Sequence, residues 1–376
     1  MIFGPIVGTR CAAAAICPRA ALAIAAVSKI GSPAAVPRRR IDAMIKSDHM
    51  MAKIRIAVCW LFLAMLAWLA PNDAGAAPVR LALQKTGTVA WEFDVMRRHG
   101  LDKRAGLELV TVEQASPEAG KIALRGGSAD VIVSDWLWVS RERSLGFKLV
   151  FYPYSSALGA VMVPAKSSIG KLADLQGKSL AVAGGPLDKS WLLLQAAAAK
   201  EGVDLKAKAR IVYGAPALLA AKMQQGEMDA TLNYWNFCAR LEAHGFRRLV
   251  GIGDLLPQFG VSPNLSMIGY VFSESFAKAH PRDIAAFLDA THRAKQILMT
   301  SDAEWDSIAP LTGATDAATL KAYRDRYRDG IPDRPVAAEE KDAAVLYRVL
   351  ARLGGEALVG PAKELVPGTF YRPTGD

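Results

Sequence analysis

Cysteine and histidine are both scarce, at four and five of 376 residues. The cysteines are Cys11, Cys17, Cys59 and Cys238, and the histidines beyond the amino end are His99, His244, His280 and His292. These positions give neither metal-ligand spacing nor a Cys/His pair with triad logic, and no G-x-S-x-G turn occurs. The segment from Gly170 to Ser179 superficially resembles a phosphate-binding loop. Its glycines, Gly170 and Gly177, are seven apart rather than five, and a strand pattern follows where a helix is required, so that reading fails. Basic residues form no stripe of the kind nucleic acid demands; Arg324, Arg326 and Arg328 are interleaved with Asp and Tyr. Nor is there an apolar run of the ~20 residues that a membrane span needs.

The strongest apolar run, residues 56–70, belongs to a different pattern. Met51-Ala-Lys53-Ile-Arg55 is a short basic start, the apolar run follows, and Ala74-Gly75-Ala76-Ala77 supplies small residues of the cleavage type. That order predicts a secretory signal peptide over 51–77, cut near Ala76 or Ala77, and an exported, periplasmic product. Residues 1–50 are rich in Ala, Pro and Arg and do not fit before an export signal. They read as an extension from a start codon placed too far upstream, or as disordered chain. Nine of the 46 Lys and Arg and three of the 36 acidic residues lie in 1–77, leaving 37 against 33 in the remainder, so the pI near 9.4 overstates the basicity of the working protein. Only Cys238 survives removal of 1–77, which predicts a disulfide-free domain relying on its apolar core.

Beyond that point the chain repeats itself. Gly127-Ser-Ala-Asp130-Val-Ile-Val-Ser-Asp-Trp136 aligns with Gly226-Glu-Met-Asp229-Ala-Thr-Leu-Asn-Tyr-Trp235, 99 positions later. Each copy follows a helix-like apolar run. Glycine closes a helix in the left-handed conformation, and Val131-Ile-Val133 is strand-like. Helix, glycine stop, strand and terminal aromatic thus occur twice. Val79–Leu83 and Ser179–Ala183 alternate as strands, while residues 89–99 and 337–353 carry helical periodicity. The expected architecture is α/β, in two lobes with the second inserted in the first. The expected boundaries are 78–160 for the first part of lobe 1, 161–263 for lobe 2, and 264–376 for the return to lobe 1 with carboxyl-terminal helices.

Two further segments, together with the repeated units, carry a family resemblance. Gly100-Leu-Asp-Lys-Arg-Ala-Gly-Leu-Glu-Leu109, Leu172-Ala-Asp-Leu-Gln-Gly-Lys178 and both Gly-x-x-Asp units are similar, in this order, to motifs of the nitrate/sulfonate/taurine class of periplasmic solute-binding proteins of ABC transporters, which is thiamine-precursor-binding-like. The resemblance runs from about residue 79 to 293. It implies a two-lobed type II periplasmic-binding-protein fold with two crossover segments, closing by hinge motion over a small organic anion or zwitterion for delivery to a permease and its ATPase. It further implies a monomer, no catalysis and no cofactor. Two alternatives stay open, a periplasmic ligand-sensing subunit and a receptor for a metal or metal chelate using Asp135 and Asp188. An enzyme of the thiamine-precursor-synthase kind is disfavoured, because those carry clustered Cys and His.

In such a fold ligands meet the carboxyl ends of strands and the amino ends of helices, where free N–H groups favour anions. The candidate ligand-binding residues are therefore Thr86, Gly87 and Thr88 at one helix start, with Thr88 as its N-cap, and Trp91 one turn in. Asp135 and Trp136 end one repeat, and Tyr234 and Trp235 end the other. Ser156 precedes the first crossover, and Asp188 and Ser190 open a further helix behind the Gly184-Gly185-Pro186 turn. Lys85 and Lys189 are available to balance an anion. No metal ligands are expected. A carboxylate at Asp135 repels a bare anion, and no arginine falls in these loops to clamp a sulfonate, which together favour a zwitterion.

Overall fold

The computed structural model describes residues 78–84 and 87–373, with Val58 alone before them. The extension expected at 1–50 and the signal peptide expected at 51–77 lie outside these residues, as do Lys85 and Thr86. Among the described residues ten strands build two five-stranded sheets. Lobe 1 contains β1 (Val79–Leu83), β2 (Leu109–Glu113), β3 (Val131–Asp135), β4 (Leu149–Ser155) and β10 (Ile268–Ser273), in the order β2-β1-β3-β10-β4. Lobe 2 contains β5 (Ala160–Pro164), β6 (Ser179–Ala183), β7 (Arg210–Gly214), β8 (Ala230–Asn233) and β9 (Phe246–Gly251), in the order β7-β6-β8-β5-β9. In each sheet four strands run the same way and one, β10 or β5, runs against them, wedged between the third parallel strand and the edge strand β4 or β9. The chain leaves lobe 1 between β4 and β5 and returns between β9 and β10, giving two crossovers in a mixed α/β fold.

The longer helices, numbered in chain order, are α1 (Thr88–Arg98), α2 (Pro117–Arg125), α3 (Trp136–Ser144), α4 (Lys189–Lys200), α5 (Pro216–Gln224), α6 (Trp235–Ala243), α7 (Pro281–Thr300), α8 (Asp302–Thr312), α9 (Ala317–Asp329) and α10 (Val336–Val359), the last broken at Gly355. The repeated sequence units explain the likeness of the lobes. Helices α2 and α5 both stop two residues before a left-handed glycine, Gly127 at φ 72° and Gly226 at φ 76°. In both, the next N–H reaches back five residues to a helix carbonyl, Ser128 to Ala123 at 2.9 Å and Glu227 to Lys222 at 3.0 Å. Only a left-handed residue lets the chain double back so tightly.

The aspartate of each repeat then does the same work twice. Asp130 accepts bonds from the Arg80 backbone N–H (2.9 Å), Nε (2.9 Å) and Nη2 (2.6 Å). Asp229 accepts from the Ser179 backbone N–H and hydroxyl, both at 2.7 Å, and its own N–H returns to Ser179 Oγ at 2.9 Å. Each carboxylate thus pins the start of the third strand to the start of the first, fifty residues earlier in both lobes. These aspartates sit at the amino ends of the strands, opposite the ends that could meet a ligand.

At the first crossover the backbones nearly touch. A Cβ on Gly159 would lie 1.8 Å from the Asn233 carbonyl oxygen, so any side chain there forces the strands apart. Inside lobe 1 is a polar knot: Glu92 on α1 pairs with Lys295 on α7 and accepts from the Tyr270 hydroxyl, while Tyr327 on α9 donates to it at 3.1 Å. Burial lowers the Lys295 pKa against the pull of Glu92, and it pushes the phenols of Tyr154, Tyr270 and Tyr327 well up. In lobe 2 the thiol of Cys238 is fully buried and pushed up to about 12, which removes it from any nucleophilic role.

Two outcomes follow for stability. Asp130→Ala and Asp229→Ala should each lower unfolding free energy by about 1–2 kcal/mol in denaturant melts, leaving small-molecule binding intact. Lys295→Met should cost more, about 3–5 kcal/mol, because Glu92 is left buried without its cation; adding Glu92→Gln should recover part of that loss.

Candidate functional site

The carboxyl ends of the parallel strands in both lobes run directly into helix amino ends, and two of those ends meet across the lobes. Asp135, last residue of β3, N-caps α3 by accepting from the Trp138 N–H at 2.9 Å. Its other oxygen meets Nζ of Lys189, the first residue of α4 in lobe 2, at 3.2 Å. Asp188 N-caps α4, accepting from the Trp191 N–H at 3.1 Å. Tyr234 N-caps α6 and is 42% exposed, the largest aromatic surface at this junction. Lobe 2 is knitted around them: the Gly184 N–H bonds Gly214 O at 3.1 Å, and the Asn233 side chain donates to Pro216 O at 2.9 Å.

The electrostatics follow from this convergence. Burial works to raise the Asp135 pKa, yet the charges of Lys189 and Lys121 and the Trp138 N–H outweigh it and hold the carboxyl below its usual value. Burial likewise works against charge on Lys189, but Asp135 and Asp188 raise its pKa overall. Asp188 goes the other way: burial raises it, and Lys189 with the N–H groups of Trp191 and Ser190 offset this only in part. The Tyr234 hydroxyl is raised by burial, with the Asp188 charge adding to it, and Glu118 of α2 contributes from lobe 1. Asp135, Lys189 and Asp188, with Lys121 and Glu118 alongside and the neutral Tyr234 hydroxyl beside them, form one polar cluster spanning both lobes.

Several expected site residues are placed elsewhere. Trp136 is fully buried, and its indole N–H donates to Ser266 O at 3.1 Å, so it is a core residue rather than a cleft wall. It is the first residue of α3 instead of the end of a strand, and that turn swings the ring inward. Trp91 is 2% exposed, with its N–H on Leu311 O at 3.3 Å, in a nest with Trp305, Tyr323 and Tyr327. One edge of that nest is Trp235 of lobe 2, 6.0 Å away at an interplanar angle of 85°, so Trp91 and Trp235 seal the lobes together. Gly87, not Thr88, is the N-cap of α1; the Thr88 hydroxyl lies 3.4 Å from the Tyr154 hydroxyl. Both the N–H (2.9 Å) and hydroxyl (3.3 Å) of Ser156 go to Gly330 O, a fastening between the first crossover and the end of α9. Ser190 is half-buried in the first turn of α4. Helix α4 starts at Lys189, directly after its Asp188 cap.

Not every helix amino end is spent. Asp135, Asp188 and Ser116 cap α3, α4 and α2, whereas α1, α5 and α6 carry no side-chain cap. The N–H groups of α6 open beside Tyr234. A separate depression of about 600 Å³ lies between β9, α6 and α9. Its charges are satisfied among themselves, Glu242 by Arg248 and Arg326 and Asp325 by Lys321, so it offers a solute less than the interlobe cluster does.

A family model described as NMT1/THI5 like matches residues 95–304, more than half of the chain and most of both lobes. The chain belongs to that family. No curated protein sequence matches the chain. Among solved structures, the fold is similar to that of the alkanesulfonate-binding protein SsuA from Xanthomonas axonopodis pv. citri bound to MOPS. That likeness has 20% identity and a TM-score of 0.63, and covers 80% of this chain and 100% of the other. The periplasmic aliphatic sulphonate binding protein SsuA from Escherichia coli is similar at 22% identity and TM-score 0.63, covering 78% and 97%. A zinc-bound ligand-binding component of an ABC-type import system from Staphylococcus aureus has 12% identity and TM-score 0.57, covering 79% and 96%. At these identities the likeness carries the two-lobed fold. Among the described residues no helix is long and apolar enough to cross a membrane.

The Asp135–Lys189 pair has a defined pH window. The lowered Asp135 pKa stabilises the fold above the unfolded value of about 3.9 and is lost as pH falls through the folded one. The raised Lys189 pKa stabilises below about 10.4 and is lost as pH rises through the folded one. Lys189→Met should therefore lower stability by about 1–3 kcal/mol across neutral pH, with the gap from the parent closing below about pH 4 as Asp135 protonates. Melting temperature against pH for both proteins checks this.

Proposed function

We propose that this protein is the solute-capturing component of an ABC importer, a binding protein and not an enzyme. It holds a small organic anion or zwitterion between its lobes for delivery to a membrane permease and its ATPase, and works in the periplasm after export by the 51–77 signal peptide. The observation that carries the reading is the convergence, in an NMT1/THI5-like chain, of charged and polar groups from both lobes at Asp135, Lys189, Asp188 and Tyr234. Uncapped amino ends at α1 and α6 supply N–H donors for the acidic end of a solute, as the sulfonate-binding neighbours' ligand class would require. A metal or metal-chelate role draws less support, because Asp135 already holds an ammonium where a cation would sit.

A thermal-shift screen of the purified protein against sulfonates, amino sulfonates, nitrate, carboxylates, pyrimidines and divalent metals tests this. A true solute at a hundredfold excess over its Kd adds about 2.7 kcal/mol of apparent stability. Stabilisation by one organic class, weakened at least tenfold in affinity by Tyr234→Ala, is the expected result. A flat response to every organic solute beside a clear response to a metal would sink it.

A further inference from the structure

The pole of lobe 2 opposite the cleft carries an unbalanced charge. Strands β6 and β7 begin there, at Ser179 and Arg210, and α4 returns there to end at Lys200. The loops leading into those strands, 165–178 and 201–210, hold six cations and three carboxylates. They lie side by side, because the Gly177 N–H bonds Lys208 O at 2.7 Å and the Arg210 N–H bonds Lys178 O at 2.8 Å. Two of the carboxylates are turned onto backbone. Asp174 accepts from the Gly170 N–H at 2.8 Å, and Asp204 from the Ala207 N–H at 3.0 Å. Lys166, Lys171, Lys206 and Lys208 are exposed, and among the described residues none of their ammonium groups is bonded to a carboxylate.

An apolar feature adjoins this basic surface. A groove of about 360 Å³ opens where the end of α4 meets α10 and the turn Leu256–Phe259. Phe259, Val349 and Leu353 give it apolar walls, Lys200 and Arg352 line it as well, and no carboxylate does. The Lys200 ammonium is held on Gln258 O, 4.7 Å from the centre of the Phe259 ring. Arg352 is exposed and, among the described residues, forms no hydrogen bond or ion pair; Leu353 beside it is 39% exposed. The chain passes from Lys200 at the groove to Lys206 through one tight turn, in which the Val203 N–H bonds Ala198 O at 2.9 Å.

Unpaired lysines spread over two loops present many donors on flexible stems and no fixed fork. That fits a layer of anionic headgroups better than the defined carboxylates of a folded partner, which call for arginine. An apolar groove edged by cations fits the boundary between headgroups and acyl chains. We propose that this pole of lobe 2 docks on an anionic lipid surface, with its lysines over the headgroups and the groove at Leu353 entering the boundary. The inference goes beyond solute capture and is independent of which solute the cleft holds.

Cosedimentation of the full protein with vesicles tests this, phosphatidylcholine alone against phosphatidylcholine mixed with phosphatidylglycerol. The anionic vesicles should bind it about tenfold more tightly at low salt, with the gap shrinking as ionic strength rises. Combining Lys171→Glu, Lys206→Glu and Lys208→Glu should close that gap, and Leu353→Asp should weaken anionic-vesicle binding about threefold. These side chains are exposed, so melting temperature and stabilisation by solutes should stay as in the parent. Every variant shares the parent's amino end, so a difference in binding arises at the pole. Equal binding to the two kinds of vesicle, or anionic-vesicle binding unchanged in either variant, would overturn the inference while leaving a solute-binding role standing. Retention by polyglutamate without binding to phosphatidylglycerol would overturn it in favour of an acidic protein partner.

Discussion

Each lobe depends on one carboxylate placed at the closed end of its sheet. Asp130 and Asp229 anchor the third strand to the first at their amino ends, with three bonds apiece. With that end fixed, the register Leu81 to Val131 in lobe 1 and Leu180 to Ala230 in lobe 2 is set. The opposite, carboxyl ends of the same strands are then delivered to one place, where Asp135 and Tyr234 begin the next helices. A strand shifted by one residue would exchange its two faces, turning the buried Val131 and Ala230 out and the following cap residue away from the cleft. The polar site is therefore a consequence of a staple about one strand length away.

The two units are alike in backbone and unlike in charge. After the strand, lobe 1 presents Asp135, which caps its own helix, while lobe 2 presents Tyr234, which leaves its helix end uncapped. Lys189 then crosses from lobe 2 to satisfy the lobe 1 carboxylate. A buried ion pair holds together only when both partners stay in place, so this contact favours closed lobes even without a solute. Asp188, one residue earlier, caps α4 by accepting from the Trp191 N–H. The same short segment thus supplies both the helix cap and the cation that reaches across the lobes.

The repeated units were legible because glycine and aspartate act locally: a left-handed stop and a strand anchor need those residue types at fixed spacing. The two-sheet α/β fold followed from the alternation of strand and helix patterns. Trp136 was misread because strand gives way to helix between Asp135 and Trp136, and the indole is buried with its N–H on Ser266 O. Thr88 looked like a cap, but the preceding glycine takes that position. Lys189 carries no local signal, since only the approach of β3 from the other lobe distinguishes it from a solvated lysine. The Glu92–Lys295 pair is equally silent, its partners being about two hundred residues apart on two amphipathic helices.

The carboxyl-terminal helices set how far such a cleft can move. Helix α9 packs on α6 of lobe 2 while Tyr327 reaches into the lobe 1 knot at Glu92, and α10 lies against both α3 and α4. On the lobe 2 side, Arg326 makes two parallel bonds to Glu242, at 2.8 and 2.9 Å, and Arg240 donates to the Tyr323 hydroxyl at 2.9 Å. A paired guanidinium–carboxylate contact is directional as well as charged, and small rotations break both bonds together. Trp235, held edge-on to Trp91, adds apolar area that is lost on separation. Wide rocking of the lobes must therefore break contacts on two flanks beyond the cleft as well as Asp135–Lys189 within it.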